Sequence, residues 1–203
     1  MTPRLSGVGF AAVLLAAMTS GMAAHAGNGA DDDAFAQRLF GGSAGPRKAY
    51  ACFVGRYDAG HLTRHRLQKV SAMKLLVTAE QDIESKTPMY AFRLGIKYRD
   101  RRGELESGGE CGRAESADTG QFGCGVDCDG GGIGVELAED NKSVLVKVGR
   151  IRIWRNDQSD GEETSQSLVG GADDKVFRLH RANPDDCRSL VTDRQELAAL
   201  RHK

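Results

Sequence analysis

From about residue 48 onward, apolar and polar positions alternate with a period of two residues, which is the pattern of half-buried β-strands. The clearest segment spans residues 90–99, in which one face carries the side chains of Tyr90, Phe92, Leu94, Ile96 and Tyr98. The opposite face of this segment includes three basic residues. The pattern therefore predicts antiparallel strands with one buried and one exposed face.

Residues 100–103 are typical of a hairpin loop after this strand. Folding the next segment back across the loop predicts three pairs of opposite charge, namely Arg99 with Glu104, Lys97 with Glu106 and Arg93 with Glu110. Such pairs contribute about 0.2–1 kcal/mol each in an antiparallel ladder. We expect them to define the register of this hairpin.

Two further hairpins follow from the same alternation. A turn at 129–132 predicts that Val126 faces Val135 and that Cys124 faces Leu137. A second turn at 139–142 predicts the pairs Val144 with Leu137, Val146 with Val135 and Val148 with Ile133. After Gly149 the apolar positions change from even to odd numbers, which indicates a β-bulge.

Less regular strands are predicted at 49–57, 70–79, 104–111 and 175–181. Short helices are predicted near the two ends, one over 34–40 after Asp33, one beginning at Asn183, and one opened by Thr192 with Gln195. About eight strands without long intervening helices predict an all-β, mainly antiparallel fold in a single meander domain. We expect a barrel with short terminal helices, and a two-sheet sandwich is the less favoured alternative.

The first 26 residues have the features of a cleavable signal peptide. Arg4 supplies positive charge, residues 8–18 form a short apolar run, and Ala24 and Ala26 place small side chains before a cleavage site. The run is shorter than the about 20 apolar residues that a membrane-spanning helix needs. We therefore predict a periplasmic or secreted protein with no membrane span after signal cleavage.

One folded domain is expected after the signal peptide. Residues 27–47 are predicted to be a flexible lead-in, 48–190 the antiparallel β domain, and 191–203 a short helical or disordered tail. Within the domain, residues 156–174 are acidic, rich in serine and poor in apolar side chains. This composition predicts a long mobile loop.

The charge of the whole chain is balanced, with 28 basic and 28 acidic residues. This balance gives no general attraction to nucleic acid or anionic lipid, so neither is expected as a partner. Positive charge is concentrated instead in one segment, which contains the candidate binding residues Arg56, His61, Arg64, His65, Arg66 and Lys69. Two interpretations stay open: recognition of an anionic glycan, phosphate or acidic protein, and pairing with the chain's own acidic loop at 157–163.

Five cysteines follow the predicted signal peptide, namely Cys52, Cys111, Cys124, Cys128 and Cys187. In an oxidising compartment they are expected to form disulfides, and an odd number leaves one thiol unpaired. On one extended strand, Cys124 and Cys128 would lie roughly 13 Å apart, which is beyond the reach of a disulfide. We therefore expect two disulfides, one of which joins Cys111 to Cys124 or, as the second choice, to Cys128.

Catalytic motifs are weak in this chain. Residues 41–45 match G-x-S-x-G around Ser43, but the strand before and the helix after a nucleophile elbow are not predicted there. An unpaired cysteine acting with His61, His65 or His180 is a second candidate nucleophile. We assign no catalytic residue from the sequence.

Two groups of residues have the chemistry of metal ligands. The first is His61 and His65 with Asp58, and the second is Cys124 and Cys128 with the neighbouring aspartates Asp127 and Asp129. Basic neighbours of the histidines oppose a bound cation, and the cysteine spacing is not that of a standard zinc site. The sequence therefore leads us to assign no metal ligand and no cofactor.

Together these patterns predict an exported, disulfide-containing β-domain protein that binds a ligand, a protein or a glycan without catalysis. An extracytoplasmic hydrolase that uses Ser43 or a free cysteine is the alternative function, and metal handling is a further one. The identity of the ligand does not follow from these patterns.

Overall fold

A computed structural model describes residues 28–41, 48–85, 87–113, 121–155 and 166–201 of the chain. The helices are α1 (Asn28–Phe40), α2 (Ala59–Arg64), a 3₁₀ helix (Pro184–Leu190) and α3 (Arg194–Arg201). The strands are β1 (Ala49–Arg56), β2 (Val70–Gln81), β3 (Pro88–Tyr98), β4 (Leu105–Arg113), β5 (Gln121–Gly125), β6 (Gly131–Leu137), β7 (Ser143–Arg155), β8 (Gln166–Val169) and β9 (Val176–Ala182). None of the described helices is long and apolar enough to cross a membrane.

All nine strands belong to one antiparallel sheet, in the order β6-β5-β4-β3-β2-β1-β9-β7-β8. An additional pairing of β6 with β7 closes eight of these strands into a ring, and β8 lies outside that ring on β7. The predicted all-β, mainly antiparallel fold is therefore confirmed. Because consecutive strands run in opposite directions, the chain connections alternate between two ends of the ring.

Alternating apolar residues from all eight ring strands form one continuous buried cluster. Helix α1 contributes Phe35 and Leu39 to this cluster, and the Phe35 ring lies 5.3 Å from that of Phe122. Arg38 of the same helix donates to Asn141 Oδ1 at 2.9 Å, in the loop between β6 and β7. Helix α1 therefore covers the end of the ring at which β5 and β7 begin, and helix α2 lies at the other end.

A second buried cluster lies on the outer face of β1 and β2, beneath the C-terminal segment. Leu190 and Leu200 pack there, and a disulfide joins Cys52 of β1 to Cys187 of the 3₁₀ helix. The 3₁₀ helix begins at the predicted cap, because the Asn183 side chain accepts from the Asp185 amide at 2.9 Å. The following helix differs from the prediction, since α3 is preceded by Asp193, whose side chain accepts from the Glu196 amide.

The register of the β6–β7 hairpin is confirmed. Val144 lies opposite Leu137, Val146 opposite Val135, and Val148 opposite Ile133. The register then shifts by one residue, because Arg150 pairs with Gly132 and leaves Gly149 as the extra residue of a bulge. Beyond the bulge Ile151 and Ile153 are fully buried, which is the parity change that the sequence indicates.

The predicted register of the β3–β4 hairpin is wrong by two residues. Gly95 lies opposite Glu106 and Arg93 opposite Gly108, so the three predicted charge pairs do not form. The pairing of β3 with β2 continues past Tyr98, because the Arg99 amide donates to the Lys69 carbonyl at 2.9 Å. Non-local contacts therefore outweigh exposed charge pairs whose individual contributions are small.

The predicted pairing of β5 with β6 is also wrong. Cys124 lies opposite Ile133, and the strand ends at Gly125. The turn that follows contains Cys128 and Asp129 with φ values of 55° and 59°. Because both residues adopt a left-handed conformation, the chain reverses two residues earlier than the alternation predicts, and Cys124 pairs with Ile133 instead of Leu137.

Two segments contain more regular structure than the sequence predicts. Helix α1 begins at Asn28, six residues before its predicted start. The predicted acidic loop contains β8, whose Leu168 is buried against the ring. The signal peptide, Ser43 and the acidic residues at 157–163 lie outside the described residues, so those predictions remain predictions.

Candidate binding surface

The six candidate binding residues lie at the α2 end of the ring, between the end of β1 and the start of β2. Asp58 caps helix α2, because its Oδ1 accepts from the His61 amide at 2.7 Å. Thr63 Oγ1 donates to the Ala59 carbonyl at 2.7 Å and adds a second local bond. The segment thus forms a short helix and a turn between β1 and β2.

Two aspartates from the loop before β9 anchor this segment. Asp174 is 2% exposed and accepts from the backbone amides of Lys69 at 2.8 Å and Val70 at 3.2 Å. Asp173 accepts from the Leu67 amide at 3.0 Å. The carboxylates that meet the basic segment are therefore bonded to its backbone, and they hold its position.

Three aromatic rings lie next to one another within the anchored segment. The His61 ring lies 4.9 Å from the Tyr57 ring and 4.3 Å from the His65 ring, with the two histidines nearly parallel. His61 Nε2 shares a 2.9 Å hydrogen bond with Gln68 Oε1, and His65 Nδ1 lies 3.8 Å from Asp173. In the part of the chain that the structure describes, no three His, Cys, Asp or Glu side chains form a metal-binding group.

The negative charge of Asp174 also acts on nearby phenols. Burial raises the pKa of Tyr57 to about 12, and Asp174 adds to this effect. The Tyr57 hydroxyl donates to the Arg178 carbonyl at 3.3 Å. Burial also raises the pKa of Tyr98, against the effect of nearby Arg101. Both phenols therefore stay protonated, and Tyr57 serves as a packing and hydrogen-bonding group.

Four cations of the segment, Arg56, Arg64, Arg66 and Lys69, are exposed. Their side chains make no hydrogen bond, ion pair or aromatic contact with any other described residue. We call these four residues the cationic surface. An anion that approaches it meets cationic side chains that form no ion pair with a described carboxylate.

Two further cations, which the sequence analysis missed as site residues, extend this surface across the outer face of the sheet. The strand register places Arg56, Ala72 and Lys97 in one row across β1, β2 and β3. The next row places Val54, Lys74 and Gly95 side by side. A groove of about 100 Å³ lies between Arg56, Lys74 and Lys97. Lys97 belongs to the basic face of residues 90–99, but only the pairing of three strands brings it to Arg56.

The cysteines form two disulfides within the described residues, and this part of the prediction is confirmed. Cys111 is bonded to Cys124 in the adjacent strand, as preferred from the sequence, and Cys52 is bonded to Cys187. Cys128 is the unpaired, exposed cysteine. Its backbone carbonyl accepts from Arg152 at 3.0 Å.

The structure does not bring the free thiol to the candidate histidines. Cys128 follows β5, which lies four strands away from β1 in either direction around the ring. His61 and His65 follow β1, and His180 lies on β9 beside β1. A cysteine–histidine pair is therefore not assembled in the described part of the chain.

Comparison of the chain with protein-family models, curated proteins and solved structures found no match. The geometry of the cationic surface and the groove is thus the basis for assigning a function.

Proposed function

We propose that this protein is exported and binds an anionic glycan or protein through the cationic surface, without catalysis. The observation that carries the proposal is the set of four exposed cations that have no charged partner among the described residues. The proposal includes cleavage of residues 1–26 as a signal peptide, so that the mature chain starts at or near Gly27.

The disulfides support the location that this proposal requires. Two disulfides in a β domain are consistent with an extracellular protein, because cytosolic proteins are kept reduced. The Cys52–Cys187 bond is almost fully buried, with the two residues 1% and 0% exposed. A bond in the core of a packed cluster has a structural role, and it forms where the compartment is oxidising.

The anchoring of the segment supports binding over a purely solvated surface. Three backbone amides between residues 67 and 70 bond to Asp173 and Asp174. Binding to a backbone that is already ordered costs less conformational entropy than binding to a flexible loop. The cations are therefore presented on a fixed base, and only their side chains must be ordered by a partner.

The test reverses two charges, in the variant Arg64→Glu with Arg66→Glu. We expect this variant to lose capture of partners when the glycans and the proteins of the extracytoplasmic fraction are offered separately. Both side chains are exposed, so the free energy of unfolding should change by less than about 0.5 kcal/mol. Capture by the wild type should weaken with salt, as the Debye length falls from about 10 Å at 0.1 M to about 3 Å at 1 M.

A charge-matched control is Lys142→Glu with Arg194→Glu, because these exposed cations lie outside the cationic surface. This control should capture partners as the wild type does. Unchanged capture by the Arg64 and Arg66 variant would show that the cationic surface is only solvated. Marked destabilisation of that variant would contradict the proposal, since it would mean that the two arginines pair within the protein.

A further inference from the structure

We infer that the groove between Arg56, Lys74 and Lys97 binds a sulfate or phosphate ester group of the anionic partner. We call it the three-strand groove. The inference rests on the proposed function, because it names the chemical group that the partner presents. It adds a second site of contact, which is centred on β2 and is continuous with the cationic surface through Arg56.

The positions of the three cations follow from the strand register. Arg56 lies opposite Ala72, and Ala72 lies opposite Lys97, so β2 separates the two cations. With neighbouring strands about 4.8 Å apart, their backbones are roughly 10 Å apart. Lys74 lies two residues further along β2, which is roughly 7 Å. The three cations thus surround one spot from three strands.

The floor of the groove is made of small residues. Ala72 and Gly95 lie between the cations, where larger side chains would fill the groove. A Cβ atom on Gly95 would lie 2.5 Å from Glu104 Oε1 and 2.7 Å from Leu190 Cδ2. Glu104 and Leu190 therefore already border the floor, and the remaining space of about 100 Å³ suits one small group.

The electrostatics of the groove favour an anion. Arg56 and Lys97 are exposed and make no side-chain contact with a described carboxylate, and Lys74 donates only to Ser189 Oγ at 2.9 Å. Like charges on adjacent strands repel one another. Among the residues that line the groove, three cations and the carboxylate of Glu104 leave an excess positive charge, which a bound anion neutralises.

The arrangement of the donors favours a tetrahedral anion over a carboxylate. Arg56, Lys74 and Lys97 come from three different strands and line the groove at three separate positions. A sulfate or phosphate ester presents three free oxygens, one for each donor, whereas a carboxylate presents two in one plane. Charge-assisted hydrogen bonds to such oxygens are stronger than those between neutral groups.

The experiment titrates the purified protein with inorganic sulfate, inorganic phosphate and a sulfated oligosaccharide, and follows backbone amides by NMR. A carboxylated oligosaccharide of equal charge is the matched ligand control. We expect saturable shifts at Ala72 and Gly95 with the tetrahedral anions and weaker binding of the carboxylated oligosaccharide. The two inorganic ions and the sulfated sugar distinguish a site for the free ion from one for the ester.

The variant Lys74→Ala with Lys97→Ala should weaken sulfate binding by about tenfold or more, because it removes two of the three donors. If the double variant is unstable, Lys97→Ala alone replaces it, because this position is exposed. The single variant should show part of the same loss of sulfate binding. Lys142→Ala should bind like the wild type. Glu104→Gln should bind sulfate more tightly, because a negative charge beside the anion is removed.

Sulfate binding that is unchanged in the Lys74 and Lys97 variants overturns the inference, as does weaker binding by Glu104→Gln. The outcome is separable from that of the proposed function. If only the Arg64 and Arg66 variant loses partner capture, the proposed function stands and the groove does not bind the ester. If only the groove variants lose sulfate binding, the three-strand groove binds the ester group and the cationic surface is not the recognition site.

Discussion

Several glycines of the ring lie where two backbones approach too closely for a side chain. A Cβ atom on Gly109 of β4 would collide with the carbonyl oxygen of Gly125 in β5. Gly112 lies three residues further along the same strand, and a Cβ atom there would meet no atom of the described residues within 4 Å. Substitutions at these two positions therefore distinguish the steric role of a glycine from its effect on strand propensity.

We predict that Gly109→Ala destabilises the protein by about 1–3 kcal/mol, because overpacking forces the backbones of β4 and β5 apart. Gly112→Ala is the matched control and should change the free energy of unfolding by less than about 1 kcal/mol, in the stabilising direction. Chemical denaturation of both variants checks this. Equal stability of the two variants would contradict the close approach at Gly109.

At the scale of elements, helix α3 is attached to the sheet by a charged cluster. Glu196 is 8% exposed, and its carboxylate lies 2.9 Å from Arg93 Nη2 and 3.3 Å from Lys48 Nζ. Burial raises the pKa of Glu196, but the hydrogen bond from Arg93 and the charges of Arg93 and Lys48 outweigh it. The pKa is therefore lowered from its ordinary value of 4.5.

We predict that Glu196→Gln costs about 1–3 kcal/mol of stability at pH 7, since it removes charge-assisted bonds to Arg93 and Lys48. A lowered pKa means that the stabilisation is complete above 4.5 and is lost as the pH falls through the folded-state pKa. The difference between variant and wild type should therefore shrink in acid. Urea unfolding of both proteins from pH 7 to pH 3 measures this difference in the free energy of unfolding.

Glu136→Gln is the control for this prediction, because Glu136 pairs with Lys147 at 2.7 Å on the exposed face of the ring. Such surface pairs contribute about 0–1 kcal/mol. A difference between Glu196→Gln and wild type that is independent of pH would mean that the carboxylate charge does not stabilise helix α3.

The connection that carries helix α2 depends on one buried carboxylate. We predict that Asp174→Ala costs about 2–4 kcal/mol, because it leaves the amides of Lys69 and Val70 without an acceptor. Asp173→Ala, which affects the single exposed amide of Leu67, should cost less. Denaturation measures both, and equal costs would contradict the anchoring role of Asp174.

Asp174→Ala should also lower the pKa of Tyr57 from about 12, without returning it to 10, because burial is the larger cause. NMR of ring-labelled tyrosine follows this titration. In the wild type a raised phenol pKa means that its contribution to stability is lost as the pH rises from 10 through about 12.

At the scale of the whole molecule, two disulfides connect different parts of the chain. Cys111 and Cys124 are 13 residues apart and join neighbouring strands, whereas Cys52 and Cys187 are 135 residues apart. The longer connection holds the 3₁₀ helix, and with it Leu190 and Ser189, against the outer face of the ring. This segment also borders the three-strand groove.

We predict that replacing Cys52 and Cys187 by alanine destabilises the protein more than replacing Cys111 and Cys124. The chain-entropy model gives about 5 kcal/mol for the longer loop and about 3 kcal/mol for the shorter one. Melting temperatures of the two double variants test the order. The reverse order would mean that the C-terminal segment is held mainly by its apolar contacts.

Much of the fold could be predicted because it depends on local patterns. The β6–β7 register follows from short-range alternation and a tight turn, and the bulge follows from the parity change at Gly149. The Cys111–Cys124 bond is the first of the two pairings predicted for Cys111, although Cys128 lies in the turn after Gly125 and not on the strand. The errors at β3–β4 and β5–β6 arise where pairing with β2 continues into the predicted loop and where a left-handed turn reverses the chain.

The candidate site could be predicted only in part. The cations of residues 56–69 are adjacent in sequence, so their density is visible without a structure. Lys74 is separated from Arg56 by one strand connection and Lys97 by two, and no periodicity relates them. The anchoring aspartates, Asp173 and Asp174, lie more than 100 residues away from the amides that they accept from.

By itself, the sequence determined the β class, the faces of most strands and the number of disulfides. The class and the faces follow from the local alternation of side chains, and the number of disulfides follows from the number of cysteines. Only the tertiary structure decided that eight strands close into a ring, that Cys52 meets Cys187, and that three cations surround Gly95 and Ala72. Those features require contacts between distant segments. Such contacts form only when the gain from burying a common core exceeds the entropy cost of bringing the segments together.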